Sequence, residues 1–150
     1  MSNEHQSHNS LFFVCPFSHT EHFIRSRFAD GYFITAPGSV FDFNDETLAN
    51  EISAFLKLKE IEQIYIVCDV NCSITANLLL GGKAFGLWCE AEILALLNPS
   101  DNGESVAGKI IQHEINKMRK TKSIADVISQ QNVEIRGIIT SVTDNRLVTV

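Results

Sequence analysis

Apolar positions along the chain follow two alternating periods. Leu11-Phe12-Phe13-Val14-Cys15 is an unbroken apolar run stopped by Pro16, which predicts a buried strand turning into a helical stretch from Thr20 to Ala29. Asp30-Gly31 is a turn signal, and Tyr32-Phe33-Ile34-Thr35 predicts a second strand that Ala36-Pro37-Gly38 breaks. After Asn44 and Asp45, the residues Leu48, Ile52, Phe55 and Leu56 recur at intervals of three and four, which predicts a helix. Ile61 to Val67 holds the β-prone run Ile64-Tyr65-Ile66-Val67, the pattern of a central strand covered on both faces.

From Ser73 the period is again helical through Leu80, pauses at Gly81-Gly82, and resumes from Trp88 to Leu97. Asn98 to Gly103 reads as a loop, and Ser105 to Ile128 as one long or two shorter helices. Val133 to Thr140 and Arg146 to Val150 read as paired strands around the turn Thr143-Asp144-Asn145. Strands alternating with helices imply right-handed crossovers. The expected fold is α/β, a mainly parallel β-sheet flanked by helices, with an antiparallel C-terminal strand pairing. Residues 1–10 are expected to form a flexible tail, and 11–150 one domain.

Composition narrows the function classes. The chain has 150 residues, 45% hydrophobic and 20% charged, which suits one hydrophobic core. A net charge of −6 argues against a nucleic-acid partner, because phosphate binding needs clustered Lys and Arg. The one basic cluster, Lys117, Arg119, Lys120 and Lys122, lies in an amphipathic segment and reads as a solvated helix face. No apolar run approaches the roughly 20 residues that cross a bilayer, so no membrane association is expected. Met1 to Ser10 lacks the basic start and apolar stretch of a secretory signal, so the expected location is cytoplasmic. Four cysteines in a reducing compartment are thiols or metal ligands rather than a disulfide framework.

Sites in open α/β sheets form beyond the carboxyl ends of the strands. That rule selects Cys15-Pro16-Phe17-Ser18-His19, after the first strand, and Cys68-Asp69-Val70-Asn71-Cys72-Ser73, after the third. If those strands are neighbours, Cys15, Asp69 and Cys72 converge. Two thiolates and a carboxylate are a ligand set for zinc that leaves a fourth position to water or substrate. The competing reading is that buried free cysteines act as small hydrophobes. Cys89, beside Trp88, is read as core, and Cys68 is expected to pack on the opposite side of its strand end. His113 is expected to be a surface or half-buried residue, and His5 and His8 to lie in the tail. His19 and His22 sit three apart, on one face of a first helical turn, with His19 next to the proposed site.

At these loops the chain resembles the β-class carbonic anhydrases. That family carries a Cys-x-Asp-Ser-Arg loop, an Arg-Asn-Ala-Gly-Asn-like segment and a Gly-His-x-x-Cys-Gly loop after successive strands. The stretches Cys15 to His19, Thr35-Ala36-Pro37-Gly38-Ser39 and Cys68 to Ser73 follow in the same order and spacing. Glu114 to Ile128 resembles the family's helix before its last strands, and Val133 to Ile138 its Val-x-Gly strand. The likeness runs from Leu11 to Val150.

The resemblance implies a β-carbonic anhydrase-like domain, zinc at Cys15, Asp69 and Cys72, a homodimer, and CO2 or bicarbonate as the small-molecule partner. In the family two Cys and one His hold zinc, and the motif Asp with its Arg manages the bound water. Here Cys15 and Cys72 match the two thiolates, while Asp69 stands at the His position, Phe17 at the Asp and His19 at the Arg. Three anionic ligands would weaken zinc as a Lewis acid, so the implied hydration of CO2 is weak or lost. Ser18, which survives from the motif, and His19, a titratable group able to shuttle protons, are the candidate catalytic residues. The alternatives are a non-catalytic dimeric binding or scaffold module holding a small anion or a partner in the cleft, and thiol redox chemistry between Cys15 and Cys72.

Overall fold

The computed structural model describes residues 9–28, 30–82 and 84–150. His5 and His8 lie outside them. Five strands form one sheet in the order β2-β1-β3-β4-β5, where β1 is Ser10–Val14, β2 Tyr32–Thr35, β3 Gln63–Asp69, β4 Glu134–Ser141 and β5 Arg146–Thr149. β2, β1, β3 and β4 run parallel, and β5 pairs antiparallel with β4. This is the expected mixed sheet, flanked by helices.

The unbroken apolar runs become the interior strands. Every position of β1 is buried, and so is every position of β3 after Gln63. Successive side chains alternate between the two faces. Leu11, Phe13 and Cys15 join Ile64, Ile66 and Cys68 in the larger core, against α2 (Glu46–Leu58), α3 (Ser73–Leu79), α4 (Cys89–Leu94), α5 (Gly103–Lys120) and α6 (Lys122–Gln131). Phe12, Val14, Tyr65 and Val67 face the smaller core with Ile24 of α1 (Thr20–Arg25) and Phe28.

Local chemistry sets the helix ends. Asp45 caps α2 by accepting from Thr47 N and Leu48 N at 3.0 and 3.3 Å. Asn102 and Ser105 form a reciprocal capping box at the start of α5. The Ser105–Ile128 segment resolves into two helices because Thr121 is extended (φ −90°, ψ 109°) and turns its hydroxyl back to Lys117 O at 2.8 Å. The helix expected from Thr20 to Ala29 stops at Arg25, where Ser26 Oγ bonds Phe23 O at 2.6 Å. The stretch expected from Trp88 to Leu97 shortens to α4. Ser10, placed in the tail by the sequence, opens β1 and is buried. Among the described residues no helix is long and apolar enough to cross a membrane.

Candidate functional site

The parallel register brings the carboxyl ends of β2, β1 and β3 to one side of the sheet. Cys15 follows β1, Asp69 ends β3, and Cys72 stands immediately before α3. A 3-10 turn, Pro37–Ser39, follows β2 and wraps the Cys15 sulfur. Cys15 Sγ accepts from Gly38 N at 3.0 Å and Phe17 N at 3.3 Å. Gly38 is left-handed (φ 68°), and a Cβ there would lie 2.8 Å from Ile93 Cδ1, so glycine is what lets this backbone reach the sulfur. Ser39 is also left-handed (φ 61°) and fully buried, with its hydroxyl donating to Val67 O at 2.7 Å.

Cys15, Ser18, Ser39, Cys68, Asp69 and Cys72 are among the residues lining a cavity of about 10 Å³. The volume suits a single water or ion. Cys15 and Cys72 are both buried and share a hydrogen bond between their sulfurs. That bond, with burial next, pushes the Cys15 thiol far up. The same bond pulls Cys72 down to about 5 against the cost of burial, assisted by the Ser18 hydroxyl and the Thr75 and Ile74 N–H groups. Ser18 Oγ is buried without a well-directed partner, so its effect on Cys72 is that of a loose dipole.

Asp69 is buried and held on three sides. Its Oδ1 accepts from Thr140 Oγ1 at 2.6 Å and Val142 N at 3.0 Å, and its Oδ2 from Asn71 N at 3.0 Å. Cys15, Asp69 and Cys72 therefore line one cavity, but they are not the trio whose ligand atoms close to within 4.8 Å of one another. Among the described residues that trio is Glu92, His113 and Glu114. There the cation position already belongs to Lys117, whose Nζ lies 2.6 Å from Glu92 Oε2, 2.7 Å from Glu114 Oε2 and 2.6 Å from Phe41 O. His113 Nε2 lies 2.7 Å from the same Glu92 oxygen. Burial pushes Glu114 up. Burial acts the same way on Glu92 but is outweighed by Lys117 and His113, which leave it lowered.

Several sequence expectations are revised by this geometry. Lys117 is part of a half-buried ion network, not of a solvated face. Cys68 does not turn away from the site: it shares the larger core with Cys15 and Cys72 and lines the cavity. Burial pushes its thiol above the ordinary range. His19 is exposed, left-handed (φ 54°) at the start of α1, and is not among the cavity-lining residues. His22 is exposed too. Phe17 is 39% exposed and stacks on Phe85 at 5.2 Å between ring centroids. Cys89 is buried, with Sγ 3.6 Å from the place of a Gly38 Cβ, so all four cysteines gather around one turn. The parts that sequence reading missed are Gly38, Ser39 and Thr140. Pro37-Gly38 was legible as a strand breaker, but not as a donor to sulfur.

The sheet order, with four parallel strands and an antiparallel β5, matches a known architecture. The fold is that of the β-carbonic anhydrases. A β-carbonic anhydrase of the fungus Aspergillus fumigatus, CafD, superposes with a TM-score of 0.77 at 13% identity, covering 95% of this chain and 89% of that one. A tetrameric β-carbonic anhydrase of Sordaria macrospora gives 0.70 at 13%, covering 94% and 79%. The Coccomyxa β-carbonic anhydrase in complex with acetazolamide gives 0.71 at 13%, covering 94% and 71%. No family model matches the sequence. No curated protein matches it either. The likeness to the β-carbonic anhydrases therefore lies in the tertiary structure, at identities of 13–17%.

Proposed function

We propose that this chain is a β-carbonic anhydrase-like protein that binds zinc through Cys15, Cys72 and Asp69, and in which CO2 hydration is weak or lost. The observation that carries the reading is the buried sulfur pair, with Cys72 held below the ordinary thiol range, lining a cavity of about 10 Å³. The donor set fits zinc in kind. Both sulfurs are soft ligands, and Asp69 Oδ2 accepts one hydrogen bond and so retains a lone pair to give. Zinc bound there would supply Lewis-acid polarisation.

The chain's own residues argue for slow chemistry. Phe17, at the family's Asp position, offers an apolar ring committed to Phe85. His19, at the Arg position, is exposed and outside the cavity lining, which makes it a remote proton shuttle at best. Ser18 is the polar side chain left at the wall to hold a water or a small anion such as bicarbonate. A cytoplasmic location and a homodimer are part of the proposal; the dimer is supported by the outer edge of β2, which no strand among the described residues pairs, and by the exposed aromatics Tyr32, Phe85 and Trp88.

One observation favours a second reading, a non-catalytic binding module. Three hydrogen bonds hold Asp69, so recruiting it to a metal means loosening a settled carboxylate. Elemental analysis of tag-free protein, beside Cys72→Ser, decides between the two. Near one zinc per chain, lost in the variant, supports the zinc site and justifies a stopped-flow CO2 hydration assay. Metal-free protein purified with zinc supplied supports the non-catalytic module.

A further inference from the structure

We infer that Glu114 and Lys117 of α5 are positioning residues: they grip both backbone groups of Phe41 and thereby set the turn whose Gly38 N–H reaches the Cys15 sulfur. The inference rests on the reading of Cys15 as a metal ligand, and it adds a control over that site by two residues outside the cavity lining.

The turn after β2 is one that the backbone does not hold unaided. Gly38 and Ser39 are left-handed in succession (φ 68° and 61°), and a serine in that region persists only where its surroundings impose it. The leading end is tied to the sheet by Ala36 N, which donates to Val14 O at 3.0 Å. Within the turn, Ser39 N donates to Ala36 O at 2.9 Å, and the Ser39 hydroxyl to Val67 O at 2.7 Å. At the trailing end, Phe41 N donates to Glu114 Oε1 at 3.0 Å, while Phe41 O accepts from Lys117 Nζ at 2.6 Å.

The Phe41 ring packs edge-on against Phe13, 4.8 Å between centroids, which anchors the side chain but not the tilt of the flanking peptides. The two α5 contacts fix that tilt on both sides of the Cα. Glu114 has no exposed side-chain surface, and its oxygens are divided between Phe41 N and Lys117, which Glu92 holds in turn at 2.6 Å. Desolvating an ion pair offsets much of its attraction, so stability alone is a weak reason to bury one here. Charge-assisted hydrogen bonds are short and directional, as a clamp requires. If the Phe41 peptides rotate, Val40 carries the motion into Ser39 and Gly38 and draws the Gly38 N–H off Cys15 Sγ, now at 3.0 Å. Outer hydrogen bonds of this kind tune a metal ligand.

The test joins amide hydrogen exchange by NMR to zinc affinity in competition with a chromophoric chelator, both on the full chain. In the unmodified protein the Gly38 and Phe41 N–H groups should both exchange slowly. Glu114→Leu should speed Gly38 exchange about tenfold, move its amide proton upfield and weaken zinc about tenfold. Glu114→Gln keeps an oxygen for Phe41 N and should restore both. Lys109→Met, which breaks the ion pair with Asp101, should lower stability without moving either readout. Unchanged Gly38 exchange and zinc affinity in Glu114→Leu overturn the inference, and so does an equal change in Lys109→Met. Should Glu114→Leu not fold, free exchange of Gly38 beside a protected Phe41 in the unmodified protein overturns it as well. Zinc absent from the unmodified chain refutes the zinc reading, and Gly38 exchange in Glu114→Leu and Glu114→Gln then decides the clamp.

Discussion

Thr140 Oγ1 donates a 2.6 Å hydrogen bond to Asp69 Oδ1, so β4 fixes the carboxylate that ends β3. Both residues are buried, and the bond is charge-assisted. Thr140→Val removes the donor and leaves the shape, at an expected cost of about 1.5–3 kcal/mol. Urea unfolding followed by circular dichroism measures it. An unchanged midpoint would mean that Asp69 is held adequately by Val142 and Asn71.

Lys117 neutralises Glu114, which has no exposed side-chain surface, and Glu92 as well. Lys117→Met should cost about 3–5 kcal/mol at neutral pH, because a buried charge loses its partner. The pH dependence has a definite sign. Glu114 is raised in the folded state, so between its unfolded and folded values the native protein binds more protons and stability falls as pH rises. Losing Lys117 raises Glu114 further, so the penalty should shrink as acid protonates the carboxyl. A penalty independent of pH would contradict this.

Glu90 folds the loop before α4 around its carboxylate, which accepts from Ala84 N at 3.1 Å and from Phe85 N and Leu87 N at 2.8 Å each. The Leu87 and Phe85 N–H groups hold its pKa down despite some burial. A lowered carboxylate lends stability that is complete above its unfolded value and is lost as pH falls through the folded one. Glu90→Gln should open this loop, free Phe85 from Phe17 and change the fluorescence of exposed Trp88. Acid should produce the same change in the unmodified chain.

The thiol pair makes a spectroscopic prediction. One thiolate per chain should appear near pH 5 by its ultraviolet absorbance, and Cys72→Ser should abolish it. A single inflection at the ordinary thiol value of 9.0 would show that the sulfurs do not share a proton.

Gly103 lies where α5 meets the loop after β3, and a Cβ there would come 2.0 Å from Val70 O. Gly103→Ala must push the start of α5 away from the Val70–Cys72 loop. The expected loss is about 1–3 kcal/mol. Metal affinity should fall with it, measured on the folded fraction. Gly108, with nothing near its Cβ position, is the control: alanine there should be neutral or stabilising.

Much of the architecture was legible in the residue pattern because local rules govern it. The run Leu11 to Cys15 and the run around Ile64 to Val67 are apolar without alternation, as strands covered on both faces must be, and they became β1 and β3. The period of three to four after Asp45 became α2, with Asp45 itself as the cap. Thr121, by contrast, breaks a helix through one extended residue and one hydroxyl bond, a choice the amphipathic pattern does not record.

The sequence by itself determined that this is an α/β chain with a mainly parallel sheet, and it named the two loops that carry Cys15, Asp69 and Cys72. Periodicity and turn chemistry act over a few residues, so they survive in a chain only 13–17% identical to the β-carbonic anhydrases it resembles in fold. Only the tertiary structure decided how those residues are used. It tied Asp69 to Thr140 and Val142 more than seventy positions away, turned Gly38 onto the Cys15 sulfur and set Lys117 between Glu92 and Glu114. It also left His19 outside the cavity. Hydrogen-bond partners across the sheet are fixed by strand order and register, and no local pattern in the chain encodes them.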